Sequence, residues 1–332
     1  MGRATDTPVR AGRGGRARLD TMPSAEPPSA DPRVPDVAGL VIAWYEVNAR
    51  ELPWRHADAT PWGVLVSEVM LQQTPVTRVL PVWTEWMRRW PTPAALAADT
   101  TAEAIRAWGR LGYPRRALRL HECATTMVTR HGGDVPADIG ALRALPGIGD
   151  YTANAVATFA FAQRHPVVDT NVRRVVARAV TGAADAGPTT TPADLRTTEA
   201  LLPADPGRAA RASVALMELG ALLCGAQNPA CHACPLSTVC AWRLAGSPPA
   251  TGPSRRPQAY AGTDRQIRGR LLAVLRDHDG PVERAKLDLA WPGEPERRDA
   301  ALASLVVDGL AVQTGPDSYE LGAGPPNPPA GG

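Results

Sequence analysis

Four of the five cysteines in this 332-residue chain, Cys224, Cys231, Cys234 and Cys240, fall within seventeen residues. Their spacing, Cys-x6-Cys-x2-Cys-x5-Cys, lets four thiolates wrap one compact metal centre. Zinc ribbons ordinarily pair two Cys-x2-Cys knuckles, and here there is one. A zinc site and four unliganded thiols stay open as alternatives. With nothing resembling a secretory signal, ligation is a better expectation than disulfides. Cys123 stands apart in an apolar helical stretch, where a buried free thiol is expected.

Two carboxylates are placed for acid–base work. In Trp62-Gly-Val-Leu-Val-Ser-Glu-Val-Met-Leu-Gln-Gln-Thr74, Glu68 shares a helical face with Val64 and Leu71. A carboxylate there loses hydration, its pKa rises, and it can deliver a proton near neutral pH. The competing reading is a salt bridge, with Arg55 as partner, which would shift the pKa the other way. Asp169 opens a helix expected to run to Ala179, and capping plus the helix dipole favour its ionised form. An ordinary N-cap would look the same. Between them lies Leu145-Pro-Gly-Ile-Gly-Asp-Tyr-Thr-Ala153, where Gly147 and Gly149 permit a sharp turn between helices. Amides opening the second helix then point outward and can hold a phosphate, although a plain helical hairpin can use the same residues. Arg173, Arg174 and Arg178 are expected either on that phosphate side or on a solvated face.

The elements that must hold these groups are helical. From 36 to 245 the apolar residues recur at helical spacing between short loops marked by Pro and Gly, and strand signals are scarce. The fold class is all-α, with the 62–74 helix, apolar on nearly every side, at its centre. Residues 1–35 are Arg-, Gly- and Pro-rich and read as a disordered tail. A Gly/Ser/Pro-rich linker, 246–263, leads to a small unit at 264–322. Its pattern is three helices, including one over Val282–Leu289, then a hairpin over Ala311–Leu321, as in a winged helix. Residues 323–332 read as a second loose tail. Net charge is +3, and one lysine, Lys286, stands against 35 arginines, since Lys and Arg total 36. A mild Arg excess permits nucleic-acid binding without requiring it. No stretch approaches the roughly 18 apolar residues of a membrane span, so no membrane partner is expected.

The cysteine spacing resembles the [4Fe–4S] loop of the endonuclease III superfamily, and the 145–153 turn resembles its helix-hairpin-helix. Ser67-Glu-Val-Met-Leu-Gln-Gln-Thr74 and Leu52-Pro-Trp-Arg55 are similar to signatures of MutY-type adenine DNA glycosylases. The resemblance covers about Asp36 to Trp242, with the motifs in the family's order. It implies a helix-hairpin-helix glycosylase fold with a [4Fe–4S] loop on Cys224, Cys231, Cys234 and Cys240. It also implies removal of adenine opposite 8-oxoguanine or guanine in duplex DNA, by a cytoplasmic, nucleoid-associated monomer. By the same resemblance Glu68 protonates the imidazole side of adenine and later helps activate water, while Asp169 stabilises the oxocarbenium-like sugar. Tyr151 and Asn171 correspond to the adenine pocket, and Trp54, Arg55 and Leu71 to groups around the flipped base. Gln73 and Tyr113 correspond to residues inserted near the opposite base, and Gly147 and Gly149 to the phosphate contact. Bifunctional relatives carry a Schiff-base lysine where Tyr151 stands; that chemistry needs an amine. Two features depart from the family: Asp169-Thr-Asn171 replaces Asp-Gly-Asn, and the short C-terminal unit replaces a Nudix-like domain. The alternatives are a bifunctional glycosylase for oxidised pyrimidines and a non-catalytic, redox-sensing DNA-binding regulator.

Overall fold

The computed structural model describes residues 1–2, 36–250 and 260–322; the expected tails at 3–35 and 323–332 and part of the linker lie outside the described residues. Among the described residues, eleven α-helices precede the cysteine loop. They are α1 (Val37–Asn48), α2 (Pro61–Leu71), α3 (Val76–Arg89), α4 (Pro93–Ala97), α5 (Thr101–Trp108) and α6 (Arg115–Arg130). Then come α7 (Ile139–Ala144), α8 (Asp150–Phe161), α9 (Thr170–Val176), α10 (Pro192–Leu201) and α11 (Pro206–Leu222). A short α12 (Ala241–Leu244) follows the cysteines. Local chemistry starts these helices. The side chains of Asp36, Thr60, Thr92, Thr100, Asp138, Asp169 and Asp205 each accept the amide three residues on. Thr191 and Asp194 close a reciprocal capping box at α10.

Two apolar cores organise them. One joins α2 to α8, around Trp86, Trp90 and Trp108, whose rings meet edge-on at 4.6 and 5.7 Å. The other joins α1, α9 and α11 with Leu236 of the cysteine loop. As the composition of its sequence requires, α2 is buried from Trp62 through Met70, and it packs on α8. The expected single helix after Asp169 is interrupted: α9 ends at Val176 and a π-helical turn spans Ala177–Thr181.

The C-terminal unit is α13 (Asp264–Arg276), β1 (Val282–Glu283), α14 (Arg284–Ala290), α15 (Pro295–Val307), β2 (Ala311–Gly315) and β3 (Ser318–Leu321). The expected hairpin is present, with a bulge between Gln313 and Gly315, but the sheet has a third strand. Order is β1-β3-β2, antiparallel, with Val282 opposite Tyr319. The expected helix at Val282 therefore begins two residues later. Gly280, at φ +89°, and Pro281 leave Val282 extended rather than helical. Ile267, Leu271, Leu275 and Leu302 of this unit belong to the same continuous core as α2–α8.

Candidate active site

A cavity of about 1030 Å³ receives residues from both cores. Trp54, Arg55, Glu68, Leu71, Gln73, Gly149, Tyr151, Asp169 and Asn171 line it. Of the residues expected around one base, the structure brings all together. Tyr113, Gly147 and the four cysteines lie outside its lining.

Glu68, the eighth residue of α2, is only 7% exposed. Burial, then the charge of Asp169, pushes its carboxyl up to about 7; a hydrogen bond from the Tyr151 hydroxyl and the charge of Arg55 pull the other way but lose. The Tyr151 phenol is itself driven well above its ordinary range by burial and by both carboxylates. Asp169 caps α9: Oδ1 accepts the Val172 amide at 2.7 Å, and Oδ2 accepts Asn171 Nδ2 at 2.9 Å. Burial raises its pKa, and those two bonds with the charge of Arg174 oppose the rise. The cavity thus holds a carboxyl poised to be protonated near neutrality and a second one ringed by donors that favour its anion.

Arg55 is not the partner of Glu68. It pairs with Glu218 of α11 at 2.9 Å, and Arg50 reaches the same carboxylate with two bonds of 2.7 Å. Glu218 is fully buried; burial alone would raise its pKa, but the bonds from Arg50 and Arg55 bring it down to about 2. The pair fixes the Pro53–Arg55 turn, and with it Trp54, whose ring lies 5.4 Å from Trp83. Glu218 was not found from the sequence. The signal was there: like Glu68, it is an acid inside an apolar helical run, between Met217 and Leu219.

The hairpin glycines differ. Gly147 has φ +77°, and a Cβ on it would meet the Arg119 side chain at 2.8 Å. Gly149 is ordinary extended backbone at φ −91°, with nothing within 4 Å of a Cβ. Its contribution is to leave the α8 N-terminus uncovered, where amides and dipole can meet an anion. Gln73 and Tyr113 are both left-handed, at φ +55° and +48°, and both are exposed. Such non-glycine conformations are held by their surroundings. Here Arg116 holds both: it donates to the carbonyls of Val69, Met70, Gln72 and Gly112 and lies over the Tyr113 ring.

Arg173 and Arg178 are buried and Arg174 is half-buried, so the three do not form a solvated face. Arg173 is buried against Asp194; Arg178 bonds the carbonyls of Ala184, Gly225 and Ala226 and stacks on Trp242. Arg174 donates to Asn171 Oδ1 at 2.8 Å and to the carbonyls of Gly220 and Cys224. It ties the Asp169 helix to the cysteine loop. Gly220 permits that approach, since a Cβ there would sit 2.8 Å from the Asn171 carbonyl oxygen.

All five cysteines are free thiols, and Cys123 is buried, its thiol pushed up to about 12 by burial. Cys224, Cys231, Cys234 and Cys240 line one small cavity with Trp242 and Arg178, and the other three act electrostatically on Cys234. Among the described residues no three His, Cys, Asp or Glu close around a single metal ion. Four thiols lining one small cavity are the kind of donor set that holds an iron–sulfur centre or a structural zinc. No described helix is long and apolar enough to cross a membrane.

Residues 66–198 match the family model of the HhH-GPD superfamily base excision DNA repair proteins. The adenine DNA glycosylase of Mycobacterium tuberculosis (strain ATCC 25618 / H37Rv) is 59% identical over 274 residues, covering 82% of this chain and 90% of the relative. That of Mycolicibacterium smegmatis (strain ATCC 700084 / mc(2)155) is 56% identical over 281 residues, covering 85% and 94%. A thermostable thymine-DNA glycosylase structure superposes with a TM-score of 0.56 at 25% identity, covering 63% of this chain and 95% of that one. A trapped endonuclease III–DNA intermediate, at 22% identity and TM-score 0.53, covers 63% and 95% and shares the fold.

Proposed function

We propose, since the chain belongs to the adenine DNA glycosylase family of the HhH-GPD superfamily, that it hydrolyses the N-glycosidic bond of adenine mispaired with 8-oxoguanine or guanine. The observation that carries this reading is the pairing of Glu68 and Asp169 in one cavity with opposite surroundings. Extruding adenine from the stack costs a few kcal/mol, least at a mispair. With the base in the cavity, Glu68 donates its proton to the imidazole side of adenine. The bond between the anomeric carbon and the base then breaks, and the electron pair leaves with the purine. Asp169 faces the resulting oxocarbenium ion. Glu68, now a carboxylate, takes a proton from water as the water oxygen bonds to the anomeric carbon. Trp54, Arg55, Leu71, Tyr151 and Asn171 enclose the base, while Gln73 and Tyr113 meet the partner strand. Gly147 and Gly149 offer the phosphate site at the α8 N-terminus.

Tyr151 supplies no amine, and the single lysine, Lys286, lies in the C-terminal unit. The product is therefore an intact abasic strand. The four clustered cysteines would hold a [4Fe–4S] centre, whose contribution when bound is to cross-link the 224–240 loop. All the catalytic groups come from one chain, which supports action as a monomer. A nucleoid-associated, cytoplasmic location follows from the substrate. The domain division accompanying this reading is a glycosylase core over 36–245 and a separate unit over 264–322. Incubating the protein with duplexes carrying each mispair, followed or not by alkali, tests the reading. Strand breaks appearing only after alkali, and only for adenine opposite 8-oxoguanine or guanine, support it. Breaks without alkali, or efficient borohydride trapping on DNA, would overturn the monofunctional assignment. Stoichiometric zinc without iron in the purified protein would overturn the cluster.

A further inference from the structure

The C-terminal unit has the outline of a winged helix but not its electrostatics. Residues 264–322 contain eight Arg or Lys and eleven Asp or Glu. α15, where a recognition helix would lie, has Arg297 paired with Asp264 and Glu294, and Arg298 paired with Asp288 and Asp299. Its exposed residues are Pro295, Glu296, Asp299, Ala300, Ala303 and Val307. Phosphate binding needs uncommitted cationic side chains on the docking face, and this helix offers an acidic and apolar one.

One arginine of the unit, Arg276, reaches instead into the glycosylase core. α5 and α13 exchange side chains at their C-terminal ends. Arg106 of α5 donates to the carbonyls of Arg276 and His278, and Arg276 of α13 donates to the carbonyl of Gly109. Each arginine satisfies carbonyls that the other helix leaves without intrahelical partners. Thr101 donates to the Gly322 carbonyl at 3.0 Å, and Arg115 pairs with Asp308 at 3.3 Å.

Gly109 begins the loop that ends in Tyr113. Every carbonyl from 109 to 112 accepts from a side chain: Gly109 from Arg276, Arg110 from Arg78, Leu111 from Thr74, and Gly112 from Arg116 and Trp108. Gly109, Gly112 and Tyr113 all have positive φ. A non-glycine residue in that region persists only where its surroundings over-determine it, and Arg276 is the one of these donors that comes from the C-terminal unit.

We propose that the C-terminal unit braces the Gly109–Tyr113 loop, with Arg276 the positioning residue that holds Tyr113 in the geometry that meets the base opposite the excised adenine. The proposal rests on the reading of Tyr113 given under Proposed function. It is tested on the full chain by measuring Kd for two duplexes with a non-cleavable 2′-fluoro-deoxyadenosine, opposite 8-oxoguanine or opposite thymine. Arg276→Met lowers the preference for the 8-oxoguanine duplex on the order of tenfold, the factor equivalent to about 1.4 kcal/mol. Arg276→Lys restores most of it, because an ammonium still reaches the Gly109 carbonyl. Arg297→Met, in the same unit but away from the loop, leaves the preference unchanged. In a Tyr113→Ala background Arg276→Met causes no further loss, since residues acting through one another are non-additive. Additive losses, or an unchanged preference in Arg276→Met while Tyr113→Ala lowers it, overturn the brace. An unchanged preference in Tyr113→Ala itself means that the reading of Tyr113 has failed, and the brace fails with it. Should Arg276→Met not fold, Arg276→Lys carries the same cycle against Tyr113→Ala, with a smaller loss expected that again vanishes in the double variant.

Discussion

Glu68 on α2 and Glu218 on α11 are both glutamates in apolar helical runs, 7% and 0% exposed. Each is desolvated, yet they end at opposite extremes, about 7 and about 2. The difference lies in what faces them. Glu68 looks across the cavity at another carboxylate and a phenol, whereas Glu218 is gripped by two guanidiniums. Burial by itself does not make an acid catalytic. A carboxyl becomes a proton donor when burial is left uncompensated, and becomes a structural anchor when cations are folded in beside it. The protein uses both outcomes a helix apart: the anchor holds the Trp54–Arg55 turn, and that turn lines the cavity into which the donor points.

Exchanging the two acids for neutral side chains separates these roles. Glu68→Gln keeps the volume and removes the acidic proton, so single-turnover adenine excision falls by about 10²–10⁴-fold while mispair affinity stays within a few-fold. Near wild-type excision would end the comparison on its functional side. Glu218→Ala strands two arginines and lowers unfolding free energy at pH 7 by about 3 kcal/mol, the lower end for a broken buried pair because Arg50 is partly exposed. The folded value of Glu218 lies below its ordinary 4.5, so this stabilisation is present above pH 4.5 and is lost as pH falls toward 2. Denaturant titrations of both proteins across that window should converge at the acid end. Glu68 behaves in the opposite sense. Its folded value lies above 4.5, so its penalty grows from pH 4.5 to 7 and is complete above. Glu68→Gln is therefore more stable than wild type at pH 8, by up to about 3 kcal/mol, and equal to it near pH 4.5. A less stable Glu68→Gln at pH 8 would mean that the carboxylate is held in an ion pair. The smallest effect is on the wild-type rate, which declines about tenfold per pH unit above about 7 as the acid is lost.

Helix periodicity and capping residues carried most of the architecture, because Asp, Thr and Pro at helix starts act through bonds three residues long. The strand at Val282 was hidden because its ladder partner, Tyr319, is 37 residues away and no local pattern reports it. The acid pair was legible from residue type and position: Glu68 from an apolar helix, Asp169 from a helix start. What escaped was the set of arginine contacts made by convergence of distant segments. Arg55 finds Glu218 across 163 residues, and Arg116 reaches the end of α2 and the turn after it across 42 to 47. The burial of the arginines after Asp169 escaped for the same reason. Their neighbours in sequence suggest a surface, while their partners, such as the Cys224 and Gly225 carbonyls, arrive from the far side of the second core.

The two oxygens of Asp169 are each tethered, one to the Val172 amide and the other to the Asn171 side chain, and Asn171 is in turn held by Arg174. A free aspartate samples several rotamers and must surrender that freedom to meet a developing cation. This one has already surrendered it: the loss, a fraction of the roughly 0–2 kcal/mol that side chains give up on burial, falls on folding and not on the reaction. Solvent dipoles likewise have no part in turning to face the charge, since the amide, carboxamide and guanidinium around the carboxylate are fixed in advance. The position is thus a rigid electrode. Its potential at the cavity is set before any ligand arrives, and it is as dependent on the register of α9 against α11 at Gly220 as on the carboxylate itself.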